Sequence, residues 1–332
     1  MQFDSSKPTI RQVAARAGVS TGTVSRVINQ HRNVNAQTRE LVLQTMREMN
    51  YEPDFAAREL SRGNRKTIGF NIGFGSPRHT PFYMLFLESL MESAQADGFR
   101  FVEVPSGNDG LPAMLHDAMV LFGAHQADPR IEYLAEHNVP YVLIGHKTGS
   151  RWVSSDDIDG GYQAGDHLMR LGHREVLVVA GAFTSQATQD RIQGFSRAAA
   201  SAGVAIEASA VLDGQNSALG AYRIVRRFLQ TSRSFTAVFA TTDEMAVGVI
   251  AALQDEGIEV PRDVSVIGYD DLPDIAANLT TIRQDIPALA EAAVALLSEA
   301  LSEGAVHHRT LPVRLIVRGT TAAPSSQSLQ NP

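Results

Sequence analysis

The chain has no cysteine among its 332 residues, a single tryptophan and only 7% aromatic side chains. The first absence excludes disulfide staples, thiolate zinc sites and a cysteine nucleophile, and it suits a reducing compartment. No apolar run approaches the roughly 18 residues of a membrane span, and the opening MQFDSSKPTIRQ is polar, without the apolar core of an export signal. A soluble, cytoplasmic protein with no membrane contact is expected. Catalytic signatures are as scarce. Gly73-Phe74-Gly75-Ser76 follows a strand-like run but lacks the G-x-G-x-x-G spacing and a P-loop lysine. There is no G-x-S-x-G elbow, and the ten histidines are scattered without metal-ligand spacing. The chain reads as a non-enzyme that needs no metal and no cofactor.

What is present is a globular composition, 44% hydrophobic and 20% charged, in a length that suits two or three domains. The net charge of −7 is unevenly spread. Residues 1–66 hold 11 Lys and Arg against 6 Asp and Glu, a balance of +5, which leaves 18 against 30, or −12, for residues 67–332. A basic head on an acidic body implies that the head meets a polyanion and the body does not.

Within the head, Thr9 precedes Ile10, Val13, Ala14 and Ala17, an apolar stripe at helical spacing that Gly18 stops. Ser20 caps a second helix through Asn29 with Val24, Val27 and Ile28 inward, and Asn35 caps a third through about Asn50 whose packing face is Leu41, Val42, Thr45, Met46 and Met49. Two helices joined by the tight turn Gly18-Val19-Ser20 make a helix-turn-helix, whose second helix can enter a major groove. Thr21, Gly22, Ser25 and Arg26 are its outward residues and the candidates for base readout, Arg26 through paired hydrogen bonds to a guanine edge. Thr9, Ser20, Asn29, Thr38 and Arg39 suit phosphate contacts. A three-helix bundle that binds no DNA would share the same pattern.

Thr9-Ile10-Arg11-Gln12-Val13-Ala14, Ala17-Gly18-Val19-Ser20 and Thr23-Val24-Ser25-Arg26-Val27-Ile28-Asn29 resemble the signature of the LacI/GalR family of bacterial transcription regulators. The likeness continues through Val34-Asn35, Thr38-Arg39, Met49-Asn50-Tyr51-Glu52-Pro53, Ala57-Arg58-Glu59-Leu60 and Ile68-Gly69. It implies a helix-turn-helix domain over 1–53 and a hinge helix and linker over 54–66. Ala57, Arg58 and Leu60 would then meet the minor groove, with Leu60 as the apolar wedge. A helix that short does not persist alone in water, so its folding would be coupled to DNA and to a partner hinge.

From Thr67 onward, apolar strand-like runs (67–72, 99–104, 118–122, 141–144, 175–179, 237–239, 264–268) alternate with helical patterns that begin near Phe82, Asp128, Gly160, Ala187, Ala218, Asp243 and Pro287. That alternation predicts doubly wound parallel sheets, and its length predicts two α/β subdomains with a cleft between them. Met84, Leu87, Leu90 and Met91, at helical spacing, read as core. The resemblance extends here through Asp159-Gly160-Gly161-Tyr162, Leu171-Gly172-His173-Arg174, Arg191 with Gly194-Phe195, Thr242-Asp243, and Gly268-Tyr269-Asp270-Asp271. It implies a bilobed body like a periplasmic sugar-binding protein over 67–324, with lobes near 67–159 plus 286–313 and 160–285 plus 314–324, and a tail over 325–332.

By the same resemblance Arg191 and Asp270 clamp the effector, and Phe82 and Tyr83 line its pocket. Thr242 and Asp243 open a helix just after a strand, where backbone donors point into a cleft. Asp159 belongs to an acidic cluster, with Asp156 and Asp157, at the expected crossing between lobes. Each has a plainer alternative: helix caps for Asp243 and Asp270, core for Phe82, a solvated loop for the aspartates. Purine-binding relatives carry an extra basic residue and an aromatic ring where this chain has Ser185 and Asn216. The amides of Gln186, Gln189 and Asn216 suit a hydroxyl-rich ligand instead, so a sugar effector is expected. The whole reads as a homodimeric repressor on double-stranded operator DNA. No leucine heptad follows Thr320, so no tetramer bundle is expected. A regulator with a non-sugar or protein effector, a solute receptor and a sugar-modifying enzyme are the alternatives.

Overall fold

Thr9 closes a reciprocal capping box at the start of α1 (Ile10–Ala17): its backbone N–H donates to Gln12 Oε1 at 2.7 Å, and its side chain accepts from the Gln12 N–H. Gly18 ends the helix in the left-handed region at φ 64°. Ser20 Oγ accepts the Thr23 N–H at 3.1 Å to open α2 (Thr21–Ile28), and Asn35 Oδ1 accepts the Gln37 N–H at 2.8 Å to open α3 (Ala36–Glu48). Val13, Ala14, Ala17, Val24, Val27 and Val42 share one buried core, with Val19, Met46 and Met49 packed on it. Leu41, expected inside, is 48% exposed, because Val42 and Thr45 take the inward face of α3. The computed structural model describes residues 9–28, 35–49, 66–73, 80–123, 128–232, 234–275, 277–302 and 307–325. It separates Met1–Arg65 from Lys66–Pro332.

The second unit holds two parallel sheets. One is built from β1 (Thr67–Ile72), β2 (Arg100–Val104), β3 (Ala118–Phe122), β4 (Tyr141–Ile144), β5 (Trp152–Ser155) and β11 (His308–Leu311), in the order β2-β1-β3-β4-β5-β11. The other is built from β6 (Val176–Ala180), β7 (Val211–Asp213), β8 (Ala237–Ala240) and β9 (Ser265–Ile267), in the order β7-β6-β8-β9. Helices α4 (Pro81–Ala96), α5 (Pro129–Glu136) and α10 (Ile286–Ser302) cover the first sheet, and α6 (Asp157–Leu171), α7 (Gln186–Ser201), α8 (Ala218–Leu229) and α9 (Asp243–Asp255) cover the second.

Alternation along each strand divides the apolar residues between two faces. Ile68, Phe70, Ile72, Ala118 and Val120 join Phe86 and Leu90 of α4 and Leu289 and Ala293 of α10, while Met119, Leu121 and Leu143 join Leu134 of α5. In the second sheet Val178 and Phe239 pack on Leu168 of α6 and Phe195 of α7; Val179 and Val238 pack on Val225 of α8 and Val249 of α9. The connection from β2 to β3, residues 105–117, has no helix, and the side chains of His116 and Met119 lie over Gly69 where a Cβ would collide with them. Met84 and Met91, read as core from their spacing, are exposed, because Tyr83, Phe86, Leu90 and Ala94 form the buried stripe of α4.

The chain passes between the lobes three times: from β5 into α6, from β10 (Thr281–Arg283) into α10, and from β11 into β12 (Arg314–Ile316). Strands β10 and β12 pair antiparallel, and Thr280 bridges Ile267, which ties that pair to the second sheet.

Candidate functional site

The structure describes part of the expected DNA-facing set. Thr9, Ser20 and Thr21 are exposed, and Thr38 and Arg39 are half-buried on the first turn of α3. Thr9 and Ser20 hold caps as well, Ser20 Oγ lying 2.9 Å from Thr23 Oγ1. Gly22, Ser25 and Arg26 fall within α2, and their exposure lies outside what the structure describes. Asn29, Ala57, Arg58 and Leu60 lie outside the described residues altogether.

In the second unit the first crossing delivers a buried charge network. Asp156 caps α6 by accepting the Asp159 N–H at 3.0 Å, so the helix starts at Asp157, three residues before the expected Gly160. Helix α7 packs against α6 at glycines: a Cβ on Gly161 would run into the carbonyl of Arg191, and one on Gly194 into the carbonyl of Ile158. That close approach sets Arg191 beside Asp157, Nε donating to Oδ1 at 2.8 Å. Nη1 donates to the Thr241 carbonyl at 2.7 Å and lies 3.5 Å from Asp270 Oδ1, and the guanidinium carbon sits 3.7 Å from the centre of the Tyr269 ring. Gln284 Nε2 donates to the same Asp270 oxygen at 2.7 Å. Asp270 and Asp271 both have positive φ, 118° and 58°, a costly backbone for non-glycine residues that tertiary contacts must hold.

Burial governs the electrostatics. It pushes the carboxyl of Asp157 up against the lowering pull of Arg191, and it pushes Asp270 well up, with the charge of Asp243 adding to the rise and Arg191 opposing it. Burial pulls the Arg191 guanidinium down, but the charges of Asp157 and Asp270 outweigh it and hold the group above its ordinary value. The result is a charged guanidinium between two carboxyls whose hold on a proton burial strengthens.

The remaining expected residues divide. Thr242 caps α9, accepting the Met245 N–H at 3.2 Å, and is half-buried. Asn216, at φ 49°, lays its amide directly over Gly181 at the end of β6. Phe82 is half-buried against Phe86 and Phe122. Two residues do not reach an open surface. Tyr83 is 2% exposed, its ring against Phe70 and Phe122 and its hydroxyl donating to Glu103 at 3.1 Å, so it belongs to the first-lobe core. Asp243 is fully buried, Oδ2 accepting the Leu272 N–H at 2.8 Å and Oδ1 the Thr281 hydroxyl at 2.5 Å; it fastens the Asp270 loop to β10. Asp159 is exposed and accepts from Gln163, which also meets Val313 and Leu315 at the third crossing. Asp157, Tyr269 and Thr241 are the network members that motif reading passes over, although Asp157 stands in the acidic cluster and Tyr269 next to Asp270.

On the first lobe a cavity of about 310 Å³ opens at the ends of β1 and β3, lined by Gly73, Asn108, Asp109, Gly110, Asp128, Pro129 and Arg130. This is where strand order reverses, the usual place for a ligand on an open parallel sheet. Arg130 closes its floor, bound to Asp128 at 2.5 Å and to Asn71 Oδ1 and the Phe122 carbonyl. Among the described residues, no cluster of side chains could hold a metal ion and no helix is long and apolar enough to cross a membrane.

Comparison with known proteins matches one stretch in each unit. Residues 9–54 match the family described as bacterial regulatory proteins, lacI family, and residues 165–321 match a periplasmic binding protein-like domain. The HTH-type transcriptional repressor PurR of Haemophilus influenzae (strain PittEE) is 31% identical over 330 residues, covering 93% of this chain and 97% of its own. Among solved structures, a complex of the transcriptional regulator CelR with cellobiose superposes with a TM-score of 0.71 at 28% identity, covering 94% of this chain and 99% of its own. The lac repressor dimer bound to operator and the anti-inducer ONPF gives 0.70 at 27% identity, covering 96% and 100%.

Proposed function

The chain belongs to the lacI family of bacterial regulatory proteins, and from that premise we propose that it is a cytoplasmic repressor whose operator affinity is set by a small carbohydrate held between the lobes of the second unit. The observation that carries the ligand half is Arg191, buried between Asp157 and Asp270 beside the first crossing. A guanidinium and carboxylates fixed in this way offer paired hydrogen bonds to vicinal hydroxyls, and a half-buried ring such as Phe82 offers an apolar face. Arg191, Asp270, Phe82, Asn216 and Thr242 form the proposed contact set; Tyr83 and Asp243 support it from inside the lobes. The cellobiose-bound relative favours a sugar over a flat base, as do Ser185 and Asn216.

On the DNA side, Thr21, Gly22, Ser25 and Arg26 read bases, Thr9, Ser20, Asn29, Thr38 and Arg39 hold phosphates, and Ala57, Arg58 and Leu60 form the minor-groove hinge within 54–66. The protein works as a homodimer, because a two-fold operator needs two heads. Exposed Met84 and Met91 on α4, Leu219 on α8 and Val247 on α9 supply apolar surface for the partner. The proposed lobes are 67–159 plus 286–313 and 160–285 plus 314–324, a reading that the three crossings support.

The test is fluorescence anisotropy of a labelled palindromic duplex from upstream of the protein's own gene, at fixed salt, with and without a carbohydrate panel. Tight, sequence-dependent binding released by one sugar is expected. Binding indifferent to every sugar would move the effector to another class, and absence of binding would overturn the DNA reading.

A further inference from the structure

Away from the three crossings, a side-chain bridge joins the lobes. His146, on the loop after β4, meets Asp190 of α7, with Nε2 and Oδ2 2.5 Å apart. The two ends differ in setting: the Asp190 side chain is 6% exposed and its Oδ1 accepts from Gln186 Nε2 at 2.9 Å, whereas the imidazole is 38% exposed. Asp157 of α6 feels the charge of Asp190 and is itself paired with Arg191. On the other side, Trp152 of β5 lies 5.8 Å from the His146 ring and His308 of β11 stacks on Trp152 at 4.5 Å, while Lys147 and Arg151 belong to the same loop as His146.

A neutral imidazole gives Asp190 one hydrogen bond in one tautomer; a protonated imidazole gives it an ion pair. Histidine is the side chain that ordinarily makes this change between about pH 5 and 8. Since the partners come from opposite lobes, the added attraction exists only where the lobes stand close. A proton that binds one arrangement better must favour that arrangement. We propose that His146 and Asp190 form a proton-sensitive latch over the cleft, which closes the lobes on each other as the pH falls. Its consequence for ligand affinity rests on the cleft being the effector site; the latch itself does not.

The sole tryptophan stands beside the latch and reports on it. Acrylamide quenching of Trp152 in the effector-free, DNA-free full chain would be compared at pH 6 and pH 8 in the wild type, H146Q, D190N and H308Q, each checked for wild-type circular dichroism. The expected result is quenching about two- to threefold weaker at pH 6 than at pH 8 in the wild type, the scale of a partly exposed ion pair. H308Q keeps this difference, and H146Q and D190N lose it, remaining easily quenched at both values. If D190N fails to fold, H146Q carries the test from the exposed end. A wild type indifferent to pH, or a difference that persists in H146Q, overturns the latch. Neither operator nor effector enters the measurement, so its failure leaves the regulator reading intact, and failure of that reading leaves the latch intact.

Discussion

Arg191 sits between two buried carboxyls whose charged forms it stabilises against burial, and its removal exposes what it compensates. Arg191→Ala leaves Asp157 and Asp270 buried without their cation, so a loss of about 3–5 kcal/mol is expected in urea unfolding at neutral pH; Arg191→Lys should lose less stability but still lose the sugar response, since an ammonium cannot reproduce the fork. Asp243 makes stability depend on pH. Burial lifts its carboxyl to about 6 from the ordinary 3.8. A carboxyl raised by folding stabilises most below its unfolded value and loses that contribution as the pH climbs through its folded one. The stability of the wild type relative to Asp243→Asn should therefore fall by about 2–3 kcal/mol between pH 4 and pH 7, measured by urea unfolding at both. A difference that stays flat or rises would mean that Asp243 is charged throughout. At this scale the sequence announces residue types well and directions poorly. Asp157 and Asp159 are two positions apart on α6, roughly opposite in phase, and nothing in the cluster itself says which one points at Arg191. Tyr83 was decidable: its spacing to Phe86, Leu90 and Ala94 puts it on the buried stripe, one position away from Phe82.

Helices α6 and α7 approach so closely because glycine occupies the contact. Gly161→Ala and Gly194→Ala would press a methyl group into backbone carbonyls of the facing helix, atoms that cannot swing aside. Each should destabilise the second unit by at least about 1–3 kcal/mol, visible as a lowered thermal midpoint, and should weaken the sugar response because α7 carries Arg191. A substitution with an unchanged midpoint would show the helices freer to part than their packing implies. The elements themselves were largely legible. Buried central strands such as β1, β3, β6 and β8 read as short continuous apolar runs, and their helices begin within a few residues of the expected positions. Missing from that reading are β5, β7, β10, β11 and β12, of three or four residues each, too short to carry a pattern of their own whether mostly buried (β5, β10) or half-buried to exposed (β7, β11, β12), so their pairing is fixed by tertiary position. The shortened β2–β3 connection was legible in the opposite way, since residues 105–117 hold no helical periodicity and form no helix.

The whole molecule joins a basic head to an acidic body, and two heads are worth far more than one. A single head holds half an operator; linking two converts the second contact into an intramolecular event, with gains of about 10²–10⁴ in affinity when the spacing fits. The partner surface is therefore as decisive for DNA binding as the recognition helix. Met84 and Met91 lie seven residues apart on the outer face of α4, too exposed to support the core that their spacing first suggests, and they offer apolar side chains to the proposed partner. Two aspartates there, Met84→Asp with Met91→Asp, would place like charges against each other across a two-fold interface while leaving the buried stripe of Tyr83, Phe86 and Leu90 untouched. Sedimentation velocity should then show a monomer in place of the proposed wild-type dimer. Affinity for a full palindrome should drop by about 100-fold or more while affinity for a half-site stays the same. Should the double variant remain a dimer with wild-type operator affinity, the partner must sit elsewhere, and the exposed Leu219 and Val247 of the second lobe would become the surface to alter.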